Sequence, residues 1–203
     1  ENKMLKEQLD ESYLDNFVIS REKSFFYDHS SLNKIINGNK FIESYSLAKL
    51  KSFNPNIFNC CDKHRMYIEI IQNSNKDIKE GAVFNETGII GQVVNNKSFY
   101  EVMLLTDTKS SIPLTNSKGD FYCNASGSGA SDYITCSYSQ LVWLDNHELG
   151  EKFFSSGLGG IYPKGIEIGN LESIKIVDTS TTLLTIKLIS NPLHSNLFGV
   201  IKL

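Results

Sequence analysis

Apolar residues recur every fourth position at the start of this chain and every second position through most of its remaining length. In ENKMLKEQLDESYLDNF, Leu5, Leu9, Tyr13 and Phe17 fall on one stripe among good helix formers, which predicts an amphipathic helix. The stripe is narrow and the remaining faces are charged. That suits a coiled-coil seam, and equally a helix packed on its own domain. A second short helix is predicted from Ser31 to Asn37, with Ser30 or Ser31 as its cap, Leu32, Ile35 and Ile36 on one face, and Asn37-Gly38 as its stop. From Phe41 the period changes to two. FIESYSLAKL, RMYIEIIQ, IIGQVV, YEVMLLTD, DYITCSYS, LVWL, SIKIVDTS and LLTIKLIS are short, rich in β-branched and aromatic residues, and parted by Gly, Asn, Pro or Ser. No helical stretch long enough for a βαβ crossover intervenes, so the strands are predicted to be antiparallel and closed into barrels or sandwiches.

A weak internal repeat points to two such units. KEGAVFNETGIIGQV and ELGEKFFSSGLGG…KGIEIGNL align Gly81 with Gly150, Phe84 with Phe153, Gly88 with Gly157 and, after a nine-residue insertion, Gly91 with Gly169. In each copy a glycine precedes a short strand, a second makes a turn, and a third admits close backbone approach in the next strand.

The insertion lies in SSGLGGIYPKGIEIG, residues 155–169, whose glycines, proline and lysine have the composition of a phosphate loop. Their spacing does not. The third glycine of a dinucleotide fingerprint falls on Tyr162, and Gly160 with Gly165 is followed by Ile166 and Glu167 where a Walker loop needs Lys and Ser/Thr. The segment after Gly165 alternates like a strand, so no helix N-terminus is available to meet an anion.

Composition narrows the partners. The 203 residues suffice for one or two domains and a core burying roughly 70% of the unfolded surface. Net charge is −3, with 23 acidic and 20 basic side chains interspersed, so no basic field is predicted for nucleic acid. No apolar run reaches the length of a membrane span. The chain opens at Glu1 without a Met, and any targeting segment is expected upstream of it.

Candidate chemistry fails on spacing. CCDKH brings Cys60, Cys61 and His64 together without a second ligand pair, so no metal site is predicted. HELGE at 147–151 lacks the second histidine of a zincin helix and lies among strands. A double-barrel serine protease needs a base, for which His29, His64, His147 and His194 are available. Its nucleophile would be Ser128 in SGSGAS, which fits neither hydrolase motif and reads more simply as a turn. Asn85-Glu86-Thr87 and Asn124-Ala125-Ser126 match the N-glycosylation pattern, which matters only in a eukaryotic secretory setting. Cys123 and Cys136 flank the turn-rich NASGSGASD and are compatible with a hairpin disulfide or with two half-buried thiols.

In chain order, ENKMLKEQL, GAVFNETGIIGQVV, VMLLTDTKSSIPL and LGEKFFSSGLGGIYPKGIEIGNLESI resemble MreC, the rod-shape-determining protein family of bacteria. The most specific part is SSGLGGIYPKGIEIG, similar to the family's T-S-G-x-G-G-x-[FY]-P-x-G-I-x-I-G stretch. Ser155 replaces the Thr of that stretch, and FNPNIFNCCDKH departs from the family pattern. The resemblance implies a mainly β fold: a coiled-coil-type helix over 1–37, then two small antiparallel six-stranded barrels over 38–138 and 139–203, in tandem or with one inserted in the other. It implies no enzyme, cofactor or small-molecule substrate. What it implies is a scaffold of the cell-elongation machinery, in the periplasm and anchored in the inner membrane by an upstream span. Such a scaffold self-associates through Leu5, Leu9 and Tyr13, docks a class B penicillin-binding protein, and meets other membrane proteins of that machinery. On this reading the glycine-rich turn presents Phe153, Phe154, Ile161 and Tyr162 as candidate anchors for the partner, the competing role of these side chains being to fill a barrel core.

Two other classes carry distinct signatures. A barrel protease would label with a fluorophosphonate probe. A periplasmic adaptor of the membrane-fusion type would need a longer helical hairpin than the one short helix preceding the strands.

Overall fold

The computed structural model describes residues 4, 45–54, 62–71, 78–96, 99–139 and 147–201. The expected helices, with Leu5, Leu9 and Tyr13, lie outside these residues, as do Cys60, Cys61 and the run LVWL. Twelve strands are formed: β1 (Tyr45–Phe53), β2 (Arg65–Ile70), β3 (Gly81–Asn85), β4 (Gly88–Asn96), β5 (Tyr100–Leu104), β6 (Ser111–Asn116), β7 (Tyr122–Gly127), β8 (Tyr133–Ser139), β9 (Lys152–Ser155), β10 (Glu167–Ile176), β11 (Thr181–Leu188) and β12 (Leu197–Ile201). They close into two six-stranded barrels, ordered β1-β12-β3-β4-β5-β2 and β10-β11-β8-β7-β6-β9, with antiparallel neighbours throughout.

The second barrel, residues 111–188, is inserted between β5 and β12 of the first. The boundary expected between 138 and 139 therefore falls inside the second barrel, at the end of β8. Closure explains the difference. Without β12, strands β1 and β3 would both present open edges. Gly199 of β12 stands opposite Leu47 on one side and Phe84 on the other, so one late strand satisfies both. A period of two marks a strand but not its distant neighbour.

Started from β12, the first barrel runs β12-β3-β4-β5-β2-β1; started from β6, the second runs β6-β9-β10-β11-β8-β7. The circuits match strand for strand, except that the strand opening the second barrel in sequence closes the first. The two barrels are thus circular permutations of one topology. The repeat read from the sequence is the matching pair of hairpins, β3–β4 and β9–β10. Phe84 and Phe153 are both fully buried, and a Cβ on Gly91 or Gly169 would come within 2.1 Å of the Met103 carbonyl oxygen or 2.2 Å of that of Lys187. Only glycine allows these neighbouring backbones to approach so closely.

Inside the first barrel are Ala48, Met66, Ile68, Val83, Val93, Val102, Leu104, Phe198 and Val200. Leu47, Phe84, Ile89, Leu197 and Ile201, on the other face of its strands, join one buried cluster with the second barrel's core of Ile112, Leu114, Ile134, Phe153, Ile168, Leu184 and Ile186. Strands β3 and β12 are consequently buried at every position, which explains why LFGVI lacks alternation. Two other strands escaped the pattern: β6 carries Pro113, and β7, YCNASG, is short and polar. Cys123 of β7 and Cys136 of β8 are joined in a disulfide across the hairpin, with Cα atoms 6.2 Å apart.

Candidate functional site: the junction between the barrels

The glycine-rich turn after β9 folds back on itself. Gly157, Gly159, Gly160 and Gly165 all have positive φ, between 68° and 82°, a region that L side chains rarely adopt. Ser155 closes the turn: its hydroxyl donates to the Pro163 carbonyl and accepts from the Ile166 N–H at 3.0 Å. A threonine hydroxyl has the same donor and acceptor capacity, so the replacement of the family's Thr keeps the chemistry. Ser156 donates through its N–H and its hydroxyl to the Pro113 carbonyl, at 2.9 and 3.1 Å, tying the turn to β6.

Two of the four expected anchors are core residues. Phe153 is fully buried, Tyr162 is 1% exposed, and both belong to the second barrel's cluster. The physical reason is closure: a small barrel must fill its interior and ends with side chains, and a turn bent by four left-handed glycines drops Tyr162 back into that space. Phe154 and Ile161 are half-buried. Ile161 lines a crevice together with Lys79, Glu80 and Gln92–Val94 of the first barrel. Leu158, which sequence reasoning did not single out, is 58% exposed at the turn's tip.

Burial pushes the Tyr162 hydroxyl far above its ordinary pKa of 10.0. A raised folded-state pKa gives a contribution that is complete below pH 10 and is lost as pH rises beyond it. The unfolded chain then ionises while the folded one holds its proton. The parent should therefore lose about 1.4 kcal/mol per pH unit above pH 10 relative to Tyr162→Phe. Urea unfolding of both proteins across the alkaline range measures this difference; identical slopes would mean that the hydroxyl is solvated.

Two linkers join the barrels, and each is fastened by buried polar groups. In the outgoing linker, residues 105–110, the fully buried Asp107 accepts from the His64 N–H and Arg65 Nε through Oδ2, and from the Lys109 N–H through Oδ1, all at 2.9 Å. The neighbouring Thr106 hydroxyl lies 2.7 Å from His64 Nδ1, and its carbonyl accepts from the Gly129 N–H of the second barrel at 3.1 Å. The return linker, residues 189–196, is held by Asn85. Its amide donates to the Asn191 carbonyl at 2.8 Å, and its carbonyl oxygen accepts from the Thr87 N–H and hydroxyl. His194 Nε2 stands 3.0 Å from Glu86 Oε1.

The remaining candidate chemistry is occupied structurally. The Ser128 hydroxyl donates to the Tyr133 carbonyl at 2.8 Å and accepts from the Ala130 N–H, as a turn residue does. His147 is not on a helix: its Nδ1 lies 2.7 Å from Glu151 Oε2, and its ring is boxed by Phe121, Tyr138 and Phe153. Asn85 of the first glycosylation pattern is buried and committed to the return linker. Among the described residues no group of three His, Cys, Asp or Glu side chains is arranged to hold a metal ion. The polar residues sequence reasoning missed are Arg65, Thr106 and Asp107, which no spacing motif connects.

The family model described as rod shape-determining protein MreC, barrel core, matches residues 57–202. The cell shape-determining protein MreC of Haemophilus influenzae is 28% identical over 181 residues, covering 86% of this chain and 47% of that protein, so the chain spans about half the length of this relative. Among solved structures, MreC of Listeria monocytogenes has a TM-score of 0.63 at 26% identity, covering 99% of this chain and 95% of that one. The complex between penicillin-binding protein PBP2 and MreC from Helicobacter pylori gives 0.58 at 18% identity, covering 78% and 97%. The major periplasmic domain of the cell shape-determining filament MreC gives 0.60 at 19% identity, covering 78% and 95%. With the family model spanning most of the chain and the double-barrel fold shared with these structures, this chain belongs to the MreC family of rod shape-determining proteins.

Proposed function

We propose that this chain is the periplasmic part of a non-catalytic scaffold of the cell-elongation machinery, held at the inner membrane by a span upstream of it and docking a class B penicillin-binding protein. The observation that carries the reading is the solved complex of a related double barrel, MreC from Helicobacter pylori, with the penicillin-binding protein PBP2. The internal chemistry agrees: at the barrel junction Thr106, Asp107 and Asn85 hold the linkers, and the Ser128 hydroxyl is engaged in its own turn. Binding of the 203-residue chain to the soluble ectodomain of the same organism's class B penicillin-binding protein, followed by calorimetry, tests the reading. Saturable binding is expected, and its absence would overturn the docking role.

Self-association through Leu5, Leu9 and Tyr13 belongs to the same proposal, as does contact with other membrane proteins of the machinery. Two to three heptads are marginal alone, so the helix should drive only weak association. Removing residues 1–22 should make the chain monomeric without unfolding the barrels. Sedimentation giving one oligomer with and without these residues would refute it.

A further inference from the structure

The hairpin of β7 and β8 is closed unevenly. Its ladder runs from Gly127 opposite Ile134 to Ala125 opposite Cys136 and stops there, although β7 reaches back to Tyr122 and β8 runs on to Ser139. On their other sides both strands are held at length, β7 by β6 from Tyr122 to Ser126 and β8 by β11 from Tyr133 to Ser139. The short seam is therefore a place where the wall of the second barrel can part. Beyond Ala125 it is crossed by the Cys123–Cys136 disulfide, whose residues are 13 positions apart, and by the edge-on contact of the Phe121 and Tyr138 rings, 5.0 Å between centroids. The hairpin's other end meets the outgoing linker. Gly127 lies so close to the Thr106 and Asp107 main chain that a Cβ would not fit, and the Gly129 N–H donates to the Thr106 carbonyl at 3.1 Å.

From this arrangement we infer that the disulfide is a redox-sensitive clasp: oxidised, it holds shut the seam of the hairpin that seats the second barrel on the linker, and reduced, it lets that seam open. A cross-link removes the widely separated conformations from an opened loop, so the bond raises the free energy of opening. Without it, parting β7 from β8 breaks a short ladder and leaves each strand paired with its outer neighbour, which keeps the opening local. The reductant is a dithiol, and the exchange balances. One thiolate of the dithiol attacks Sγ of the half-buried Cys123; the bond to Sγ of Cys136 breaks, and that fully buried sulfur leaves with the electron pair and takes up a proton. The dithiol's second thiolate then displaces Cys123 from the mixed disulfide, so both cysteines end as thiols and the reagent ends as a disulfide.

Hydrogen exchange read by mass spectrometry, with melting, tests the clasp on the 203-residue chain carrying Cys60→Ser and Cys61→Ser, so that dithiothreitol acts on this pair alone. Reduction should speed exchange about tenfold or more in β7, β8 and residues 105–110 while leaving β3 and β4 unchanged. The melting temperature should fall by about 5–10 °C. Adding Cys123→Ala with Cys136→Ala should reproduce that pattern without reductant and abolish any further response to it. Should the serine background fail to fold, the oxidised parent compared with Cys123→Ala plus Cys136→Ala carries the test. Exchange and melting unmoved by reduction would overturn the clasp, as would alkylation of Cys123 and Cys136 in the unreduced protein. Equal loss of protection in both barrels would overturn it too, because the opening would then not be confined to the hairpin and its linker.

Discussion

Replacing Asp107 by alanine should destabilise the protein by about 3–5 kcal/mol, the usual cost of removing one member of a buried ion pair. At about 2–4 °C per kcal/mol for a chain of this size, the melting temperature should fall by about 10 °C. The reason lies in what is left behind. Arg65 is 7% exposed, and its other carboxylate, Glu101, is 4.0 Å away, so its guanidinium would remain in the protein with only this longer pair to compensate it. The N–H groups of His64 and Lys109 would lose their acceptor at the same time. Thermal denaturation followed by circular dichroism measures the change. A loss below about 1 kcal/mol would place the pair in the class of solvated surface bridges. The double variant Asp107→Leu with Arg65→Met should recover only part of the stability: the desolvated guanidinium disappears with its partner, but the His64 and Lys109 N–H groups still lack their acceptor.

Gly127→Ala should cost about 3 kcal/mol or more, at the upper end for an overpacked interior, although it adds a single methyl group. A Cβ at Gly127 would come within 2.1 Å of the Asp107 carbonyl oxygen and 2.4 Å of the Thr106 carbonyl carbon. Both are main-chain atoms of the outgoing linker, fastened on their other side to the first barrel, so neither has a rotamer into which it can retreat. Gly119→Ala is the control. A Cβ there meets nothing within 4 Å, and its φ of 75° should cost only about 1 kcal/mol. Urea unfolding of the two variants gives the comparison. Equal losses would mean that the linker yields to β7, and that it does not fix the two barrels to one another.

Both predictions concern the same few residues because this linker sets how the two barrels are joined. It is bonded to β2 through Asp107 and Arg65, and to the second barrel through Thr106 and Gly129. On the proposed docking role, the protein would act through the relative placement of its surfaces. Rigid placement lowers the ordering cost of association. In the inserted glycine-rich turn Tyr162 is the internal peg, and Ile161 faces the first barrel across a crevice.

The sequence by itself determined the antiparallel β character, the two-unit repeat, the positions where Gly91 and Gly169 must yield to a neighbouring backbone, and the family motif in residues 155–169. These are local properties: side-chain alternation, turn chemistry and close approach are written within a few residues of one another. The tertiary structure alone decided that β12 returns to close the first barrel and that Phe153 and Tyr162 point inward. It also decided that Arg65 meets Asp107, 42 positions away in the chain. Strand pairing is set by which distant edge is left open, and burial by which face the completed barrel encloses. An arginine and an aspartate with no characteristic spacing carry no sequence signal until the fold brings them within 2.9 Å.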